Sequence, residues 1–483
     1  MLDLRPILLV NGTLLATLGS AMLIPALVDA NAGNPDWLVF AVSALMTLFV
    51  GVALTLMNWG HASALTIKEA FVMVVLAWLI LPAFSAIPLS FSEFGLTYTD
   101  AYFEAMSGLT TTGATVIVGL DDAPPGILLW RSLLQWLGGL GIIVMAIAIL
   151  PILQIGGMQL FKVEAFDTTE KVLPSAAQLG GALTSFYLAA TFAVALSLWS
   201  VGMSAFDAAN HAMTSIATGG FSTRDASVGG FSSAAIDYII GISMIVGSLP
   251  FVLYLHVFRG KVAPLFSDSQ VRAFFGIVGA LVIVLTLYQS THGVNGTLAD
   301  QFRFAFFNVI SILTGTGYTN HEYDLWGPFA VTAFFFIMFI GGCAGSTSCG
   351  IKIFRFQVVY EVAAVHLKNL IFPHGSFTPR YRRRPLPDMI AASVMSFMVL
   401  FFFSFLVIAA LLNLLGLDDL TALSAAGSAI ANVGPGLGPI IGPAGTYASL
   451  PGSAKWLLSF AMLLGRLELF TVLVLFTPAF WRR

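Results

Sequence analysis

Four short clusters of threonine, asparagine and glycine hold the residues best suited to bind an ion. They read TTGAT, TGGFS, GTGYT and NVGPG, and each is centred on one glycine. Glycine has no Cβ and reaches positive φ without a clash, so such a segment can aim its backbone carbonyls at one point. A ring of carbonyls can replace the hydration shell of a cation. We expect a cation to bind at four filter segments, each ending on an anchor glycine: Thr111, Thr112 and Gly113; Thr218, Gly219 and Gly220; Gly315, Thr316 and Gly317; and Asn432, Val433 and Gly434.

The four clusters share a register. One such cluster alone would be more typical of close helix packing through small residues. Fourteen-residue windows that end on the anchor glycines begin at Asp100, Asp207, Phe304 and Thr421, and all four have alanine in second place. Because long apolar segments flank each window, internal duplication explains the pattern better than chance. We expect each window to form a short pore helix that enters the membrane without crossing it and lines a wet cavity.

The composition indicates a membrane protein. Of the 483 residues, 58% are hydrophobic and 9% are charged, against roughly 25% charged in an ordinary soluble domain. This excludes a soluble enzyme, and the net charge of −3 excludes a nucleic-acid binder, which needs a basic face. Ten segments approach the length of about 20 residues that spans a bilayer. The expected spans are Pro6–Val28, Trp37–Trp59, Lys68–Phe91, Pro125–Leu150, Gly180–Val201, Ala234–Phe258, Val271–Gln289, Gly327–Ile340, Asp388–Leu415 and Ala454–Phe480.

The predicted fold is an all-α polytopic membrane protein. Four pseudo-symmetric helix–pore loop–helix repeats surround one central pore, and a two-helix hairpin precedes them. The expected boundaries are 1–63 for the N-terminal hairpin, 64–160 for repeat 1, 161–260 for repeat 2, 261–375 for repeat 3 and 376–483 for repeat 4. Most of the 21 lysines and arginines fall on one side if the N-terminus is cytoplasmic, as the positive-inside tendency requires. We therefore expect both termini in the cytoplasm and the filter segments near the acidic outer face.

A run of small residues interrupts the second helix of repeat 3. The segment GGCAGSTSCG makes a poor helix and a flexible loop in mid-membrane. A close crossing of two helices through small residues is the alternative interpretation. The expected loop consists of Gly341, Gly342, Cys343, Ala344, Gly345, Ser346, Thr347, Ser348, Cys349 and Gly350.

Arg466 and Glu468 lie about halfway along the last predicted span. An ionisable residue at that depth is costly and usually faces a partner or a wet cavity. Arg466 could contact carbonyls of the loop at residues 341–350 and form a cationic barrier, or it could pair with an acid and merely join two helices. Arg131, near the outer face, is expected to pair with an acidic side chain.

The segments SGLTTTGATVIVGLDD, GGFSTRDAS, GGCAGST, NVGPGLGP and GRLELFTVLVLFTPAFW resemble the TrkH subunits of bacterial Trk potassium uptake systems. These belong to the Trk/Ktr/HKT superfamily of K⁺ transporters, and the resemblance covers essentially the whole chain. It implies a multi-pass K⁺-conducting subunit of the bacterial inner membrane, a homodimer, and a cytoplasmic nucleotide-binding regulatory partner similar to TrkA. It also implies that residues 341–350 and Arg466 form the gate. The third filter, TGTGYTN, departs from the family pattern, which would loosen the preference for K⁺ over Na⁺.

The expected function is potassium uptake through a selective, channel-like pore that the gate loop and a regulatory subunit control. We find no motif for covalent catalysis, so we expect no enzyme activity, no organic cofactor and no nucleic-acid partner. Potassium is the transported ion, and membrane lipid surrounds the chain. An H⁺- or Na⁺-coupled symporter and a less selective K⁺/Na⁺ pathway remain alternatives. A symporter would need a titratable group in the ion pathway, and Glu468 is the candidate.

Overall fold

The computed structural model is mostly helical, which confirms the expected all-α membrane fold. The structure describes residues 2–60, 65–148, 176–292, 296–382 and 384–482. The predicted boundaries at residues 63 and 160 lie outside the described residues, as do the last two residues of the predicted span Pro125–Leu150. Two short strands, Arg380–Tyr381 and Arg384–Pro385, pair antiparallel.

The helices follow the predicted order. The N-terminal hairpin consists of Leu4–Ala32 and Asp36–Met57. The outer helices of the repeats are Ile67–Phe91, Ala176–Ser200, Ser269–Thr291 and Asp388–Leu414. The pore helices are Tyr98–Leu109, Ala205–Ile216, Leu298–Thr314 and Asp419–Ala431, and the inner helices are Pro125–Ala148, Ala234–Ser248, Pro328–Ile337 and Gly452–Arg466. Shorter or connecting helices are Leu120–Asp122, Ser227–Phe231, Phe251–Phe258, Ala263–Ser267, Tyr323–Trp326, Ile353–Ile371, Phe470–Leu473, Val474–Phe476 and Pro478–Trp481.

Each pore helix begins at a capping side chain. Thr97, Ser204, Thr297 and Asp418 each accept a hydrogen bond from the backbone N–H three residues later. Such a cap satisfies one of the N–H groups that a helix start leaves without a partner, and it contributes about 1 kcal/mol. The pore helices have 12 to 17 residues, which is short of the roughly 20 needed to cross a bilayer.

Burial separates the helices that face lipid from those that face the centre. In the most apolar part of Gln178–Ser200 17% of the residues are buried, against 72% in Pro125–Ile143. The first repeat's inner helix therefore lies at the centre of the protein, while the second repeat's outer helix faces the surroundings. Seven helices in the described part of the chain are long and apolar enough to cross a membrane, or nine if bent pairs are counted. The predicted span Gly327–Ile340 corresponds to the apolar helix Pro328–Ile337, which has 10 residues because the small-residue loop interrupts it.

Two inner helices were expected to be continuous, and both predictions are wrong. The span Ala234–Phe258 bends by 100° after Ser248, and the span Ala454–Phe480 bends by 108° after Arg466. At the first break, Pro250 lacks an N–H group and disfavours a helical conformation in the residue before it. At the second, Glu468 and Leu469 have φ values of 60° and 47°, and this left-handed backbone cannot continue a right-handed helix.

Three inner helices touch the end of their own pore helix through a glycine. No side chain fits there, because a Cβ atom would lie 1.9 to 2.7 Å from a backbone carbonyl oxygen. The absence of a side chain therefore allows the inner helix to pack closely against the end of the pore helix. The glycines and the residues they contact are Gly138 with Leu109, Gly247 with Ile216, and Gly465 with Ile430.

We predict that Gly465→Ala destabilises the protein by about 1–3 kcal/mol, because the added methyl group overpacks this contact. Thermal unfolding in detergent measures the change. The control is Gly279→Ala on the outer helix Ser269–Thr291, where a Cβ meets nothing within 4 Å. There alanine should be neutral or stabilising by up to about 1 kcal/mol, because it is the better helix former. Equal melting temperatures for the two variants would contradict the packing argument.

Candidate ion-binding site

All four pore helices end in the same hydrogen-bonded turn. The middle residue of each filter segment donates its N–H to the carbonyl oxygen five residues earlier, over 2.8 to 2.9 Å. The first residue of each segment has a left-handed backbone, with φ between 51° and 73°. These are the features of a Schellman turn, which stops a helix. The donor and acceptor pairs are Thr112 with Ser107, Gly219 with Thr214, Thr316 with Ser311, and Val433 with Ser428.

The four filter segments form a closed ring. A Cβ placed on any anchor glycine would lie 1.9 to 2.6 Å from the middle carbonyl oxygen of another filter segment. The anchor glycines have φ between 79° and 105°, so a side chain there would be strained as well as excluded. The structure thus brings all twelve predicted filter residues together. The contacts run in chain order and return to the first repeat: Gly113 to Gly219, Gly220 to Thr316, Gly317 to Val433, and Gly434 to Thr112.

The ring lies between two small cavities. One, of about 70 Å³, is lined by all four anchor glycines and by Arg131, Arg224 and Asp225. The other, of about 40 Å³, is lined by Asn432 of the fourth filter segment and by residues of the gate loop. An ion that moves from one cavity to the other would therefore pass the carbonyls of the ring.

A buried ion pair supports the ring on the side of the larger cavity. Arg131 Nε lies 2.8 Å from Glu104 Oε1, and both side chains are at most 1% exposed. Arg131 also donates to the Ser222 carbonyl, and Glu104 accepts from Val116 N–H, so the pair joins segments that follow the first two filters. The expected acidic partner of Arg131 is therefore confirmed as Glu104.

The gate loop packs directly against the filter segments. Ser348 Oγ donates to the Thr314 carbonyl at the end of the third pore helix, over 2.7 Å. Thr347 N–H donates to the Gly247 carbonyl, and Cys343 N–H donates to the Ser248 carbonyl. The loop thus occupies backbone acceptors that the break in the second inner helix leaves available. The residues of the loop are buried or half-buried. These hydrogen bonds give its backbone the partners that polar groups in a membrane interior require.

Arg466 connects the gate loop to the first inner helix. Its Nη1 lies 2.8 Å from Cys349 Sγ and 3.5 Å from the Thr347 carbonyl, and its Nη2 lies 3.3 Å from the Gly138 carbonyl. Glu468, two residues later, instead pairs with the buried Arg355. In the described ranges Arg466 forms no ion pair, so the alternative in which it pairs with an acid is not what the structure shows.

Sequence reasoning missed two features of the site. One is the left-handed backbone at Thr111, Thr218 and Asn432, because only glycine was expected to adopt it. The other is Gln135, whose amide contacts the second filter segment. The available signal for Gln135 was its spacing: it lies four positions after Arg131 on an apolar helix, so both polar side chains share one face.

Comparisons with known proteins point to one family. The family model for TrkH, described as a cation transport protein, matches residues 38–483. The Trk system potassium uptake protein TrkI of Halomonas elongata is 43% identical over 99% of this chain and 97% of its own length. The TrkH protein of Escherichia coli K12 is 39% identical over 99% of both chains. The crystal structure of the potassium transporter TrkH from Vibrio parahaemolyticus superimposes with a TM-score of 0.92 over both full chains, at 37% identity.

We predict that Glu104→Ala lowers the free energy of unfolding by about 3–5 kcal/mol, because it leaves Arg131 charged and buried without its partner. The matched control is Asp121→Ala, which removes a pair with Arg224 whose side chains are 48% and 41% exposed. That change should cost at most about 1 kcal/mol. Both are measured by thermal unfolding in detergent, and a similar cost for the two variants would contradict the prediction.

Proposed function

This chain belongs to the TrkH family of cation transport proteins, and on that premise we propose that it takes up potassium through a channel-like pore. The observation that carries the proposal is the closed ring of four filter segments between two cavities. Relatives that match nearly the full chain are named potassium uptake proteins, which supports K⁺ as the transported ion. Covalent chemistry and an organic cofactor have no part in this mechanism.

In this proposal the twelve filter residues replace the hydration shell of the ion with backbone carbonyls. The C-terminal end of every pore helix lies beside the ring, and the helix dipole places partial negative charge there. Both effects favour a cation over an anion. In the third filter, the Tyr318 hydroxyl donates to the Phe221 carbonyl, over 3.3 Å. This contact ties the third segment to the second and supports a selective ring despite the unusual TGTGYTN sequence.

Residues 341–350 and Arg466 form the gate in the same proposal. The loop covers the inner end of the ring, and Arg466 places a positive charge beside the smaller cavity. A cation leaving the ring would therefore meet both a steric obstacle and electrostatic repulsion. Movement of the loop or of the Arg466 side chain would open the path.

We infer the regulatory and cellular setting from the family. We propose a location in the bacterial inner membrane with cytoplasmic termini, a homodimer, and a TrkA-like nucleotide-binding subunit on the cytoplasmic side. The relatives are named as proteins of a Trk system, which supports a multi-subunit assembly. The helix Ile353–Ile371 starts three residues after the gate loop ends, so a partner that moves this helix would act on the gate.

A channel-like mechanism fits the site better than proton-coupled symport. Glu468 is the acid that symport would use, and it pairs with the Arg355 guanidinium. The Cζ atom of Arg355 also lies 3.8 Å from the centre of the Phe397 ring. The ion pair is therefore part of a packed contact between helices. Potassium flux in proteoliposomes that does not respond to a pH gradient would support the channel. Flux that follows the pH gradient would contradict it.

We predict that Gly220→Ala abolishes or strongly reduces potassium flux into proteoliposomes. The new Cβ would lie 1.9 Å from the Thr316 carbonyl oxygen, and the backbone at Gly220 has φ of 79°. The control is Gly230→Ala, where the nearest atom to a Cβ is 3.5 Å away. Normal flux through the first variant, with the protein folded, would refute the role of the ring.

We predict that Arg466→Ala raises basal potassium or rubidium flux in the absence of any regulatory subunit. Removing the guanidinium deletes both the contact with the gate loop and the positive charge beside the inner cavity. Arg303→Ala is the control, because Arg303 pairs with Asp300 at the start of the third pore helix, outside the gate. Unchanged flux through the first variant would remove the barrier from the account.

A further inference from the structure

Gln135 holds the second filter segment from the inner helix of the first repeat. Its Nε2 donates to the Gly219 carbonyl over 2.5 Å, and its Oε1 accepts from the Phe221 N–H over 3.0 Å. The side chain is fully buried. One amide group thus satisfies two backbone groups on either side of the anchor glycine Gly220. In the described part of the chain, the corresponding carbonyls of Thr112, Thr316 and Val433 accept no hydrogen bond.

The other filter segments are tied by their own side chains. In repeat 1 the Thr112 hydroxyl lies 2.7 Å from the Thr110 hydroxyl, and in repeat 3 the same 2.7 Å contact joins Thr316 to Thr314. In repeat 4 the tether comes from the residue before the middle position. There Asn432 Nδ2 donates to the Met462 carbonyl and to Thr112 Oγ1.

Repeat 2 has no side chain at the middle position, because residue 219 is glycine. Two successive glycines give this segment the greatest backbone freedom of the four. A Cβ on Gly219 would lie 2.4 Å from Gln135 Cδ and 2.5 Å from its Oε1. The Gln135 amide therefore occupies the space that a side chain at position 219 would need.

We propose that Gln135 is a positioning residue of the filter, which fixes the Gly219 carbonyl in place of the middle-position side chain that repeat 2 lacks. The inference rests on the proposed role of the ring as the selectivity filter. Selectivity among cations depends on the number and the placement of the coordinating carbonyls. A Gly219 carbonyl that is free to turn would change both at one of four positions, so Gln135 acts on ion preference without touching the ion.

The first test replaces Gln135 by leucine, which has a similar volume and no amide. We expect the preference for K⁺ over Na⁺ flux in proteoliposomes to fall by about twofold to tenfold, the range that one ordinary hydrogen bond represents. Potassium flux itself should persist. The matched control is Gln289→Leu, because Gln289 is also fully buried on a membrane helix and donates to a backbone carbonyl, that of Gln301, away from the filter. The control should keep the wild-type ion preference, and equal preferences in both variants would overturn the proposal.

The second test remains informative if Gln135→Leu fails to fold. Gly219→Ala alone should impair ion preference and flux, because the methyl group displaces the Gln135 amide. Combining it with Gln135→Ala removes the obstacle, so the double variant should recover potassium flux relative to Gly219→Ala. Effects that simply add, with no recovery, would overturn the proposal.

Failure of this inference can be told apart from failure of the proposed function. Gly220→Ala tests the ring directly and does not alter the Gln135 side chain. If Gly220→Ala blocks flux while Gln135→Leu keeps the wild-type preference, the ring stands and the role of Gln135 falls. If Gly220→Ala leaves flux and preference unchanged, the ring is not the filter, and the inference falls with it.

Discussion

The site depends on how each pore helix ends. In all four repeats, the N–H group of the middle filter residue donates a hydrogen bond of 2.8 to 2.9 Å to a carbonyl in the turn that ends the helix. Because that N–H points back along the helix, the carbonyl of the same residue continues toward the anchor glycine of a neighbouring repeat. The left-handed backbone at the first filter residue and the positive φ at the anchor glycine follow from this geometry. Four helices that end in the same turn therefore form a ring of carbonyls.

The packing of the gate loop follows from a second constraint, which is that backbone in a membrane needs hydrogen-bond partners. The loop of residues 341–350 cannot satisfy itself as a helix would. It takes the Gly247 and Ser248 carbonyls, where the second inner helix breaks, and its far end returns to Phe339 through the Ile351 N–H. The break at Pro250 and the loop therefore depend on each other. The second break, after Arg466, brings that guanidinium onto the same loop.

The sequence predicts the features that all four repeats share, but it predicts poorly the features that belong to a single repeat. The four clusters in register identify the ring, and the long apolar segments identify most spans, because both patterns are local. Pro250 marks the first bend in the sequence, but its partners lie on a loop about a hundred residues away, which the sequence does not show. The bend after Arg466 has no such local mark, because its left-handed residues are Glu468 and Leu469. The position of Gln135 opposite Gly219 is equally non-local, and only the packing of two repeats reveals it.

The central claim is that the four middle carbonyls, those of Thr112, Gly219, Thr316 and Val433, bind the transported ion. A crystal structure with rubidium or thallium in place of potassium tests it most directly, because both ions give anomalous scattering. We predict an anomalous peak on the axis of the ring, within coordination distance of these carbonyls. Anomalous density that lies elsewhere in the protein, with none in the ring, would contradict it.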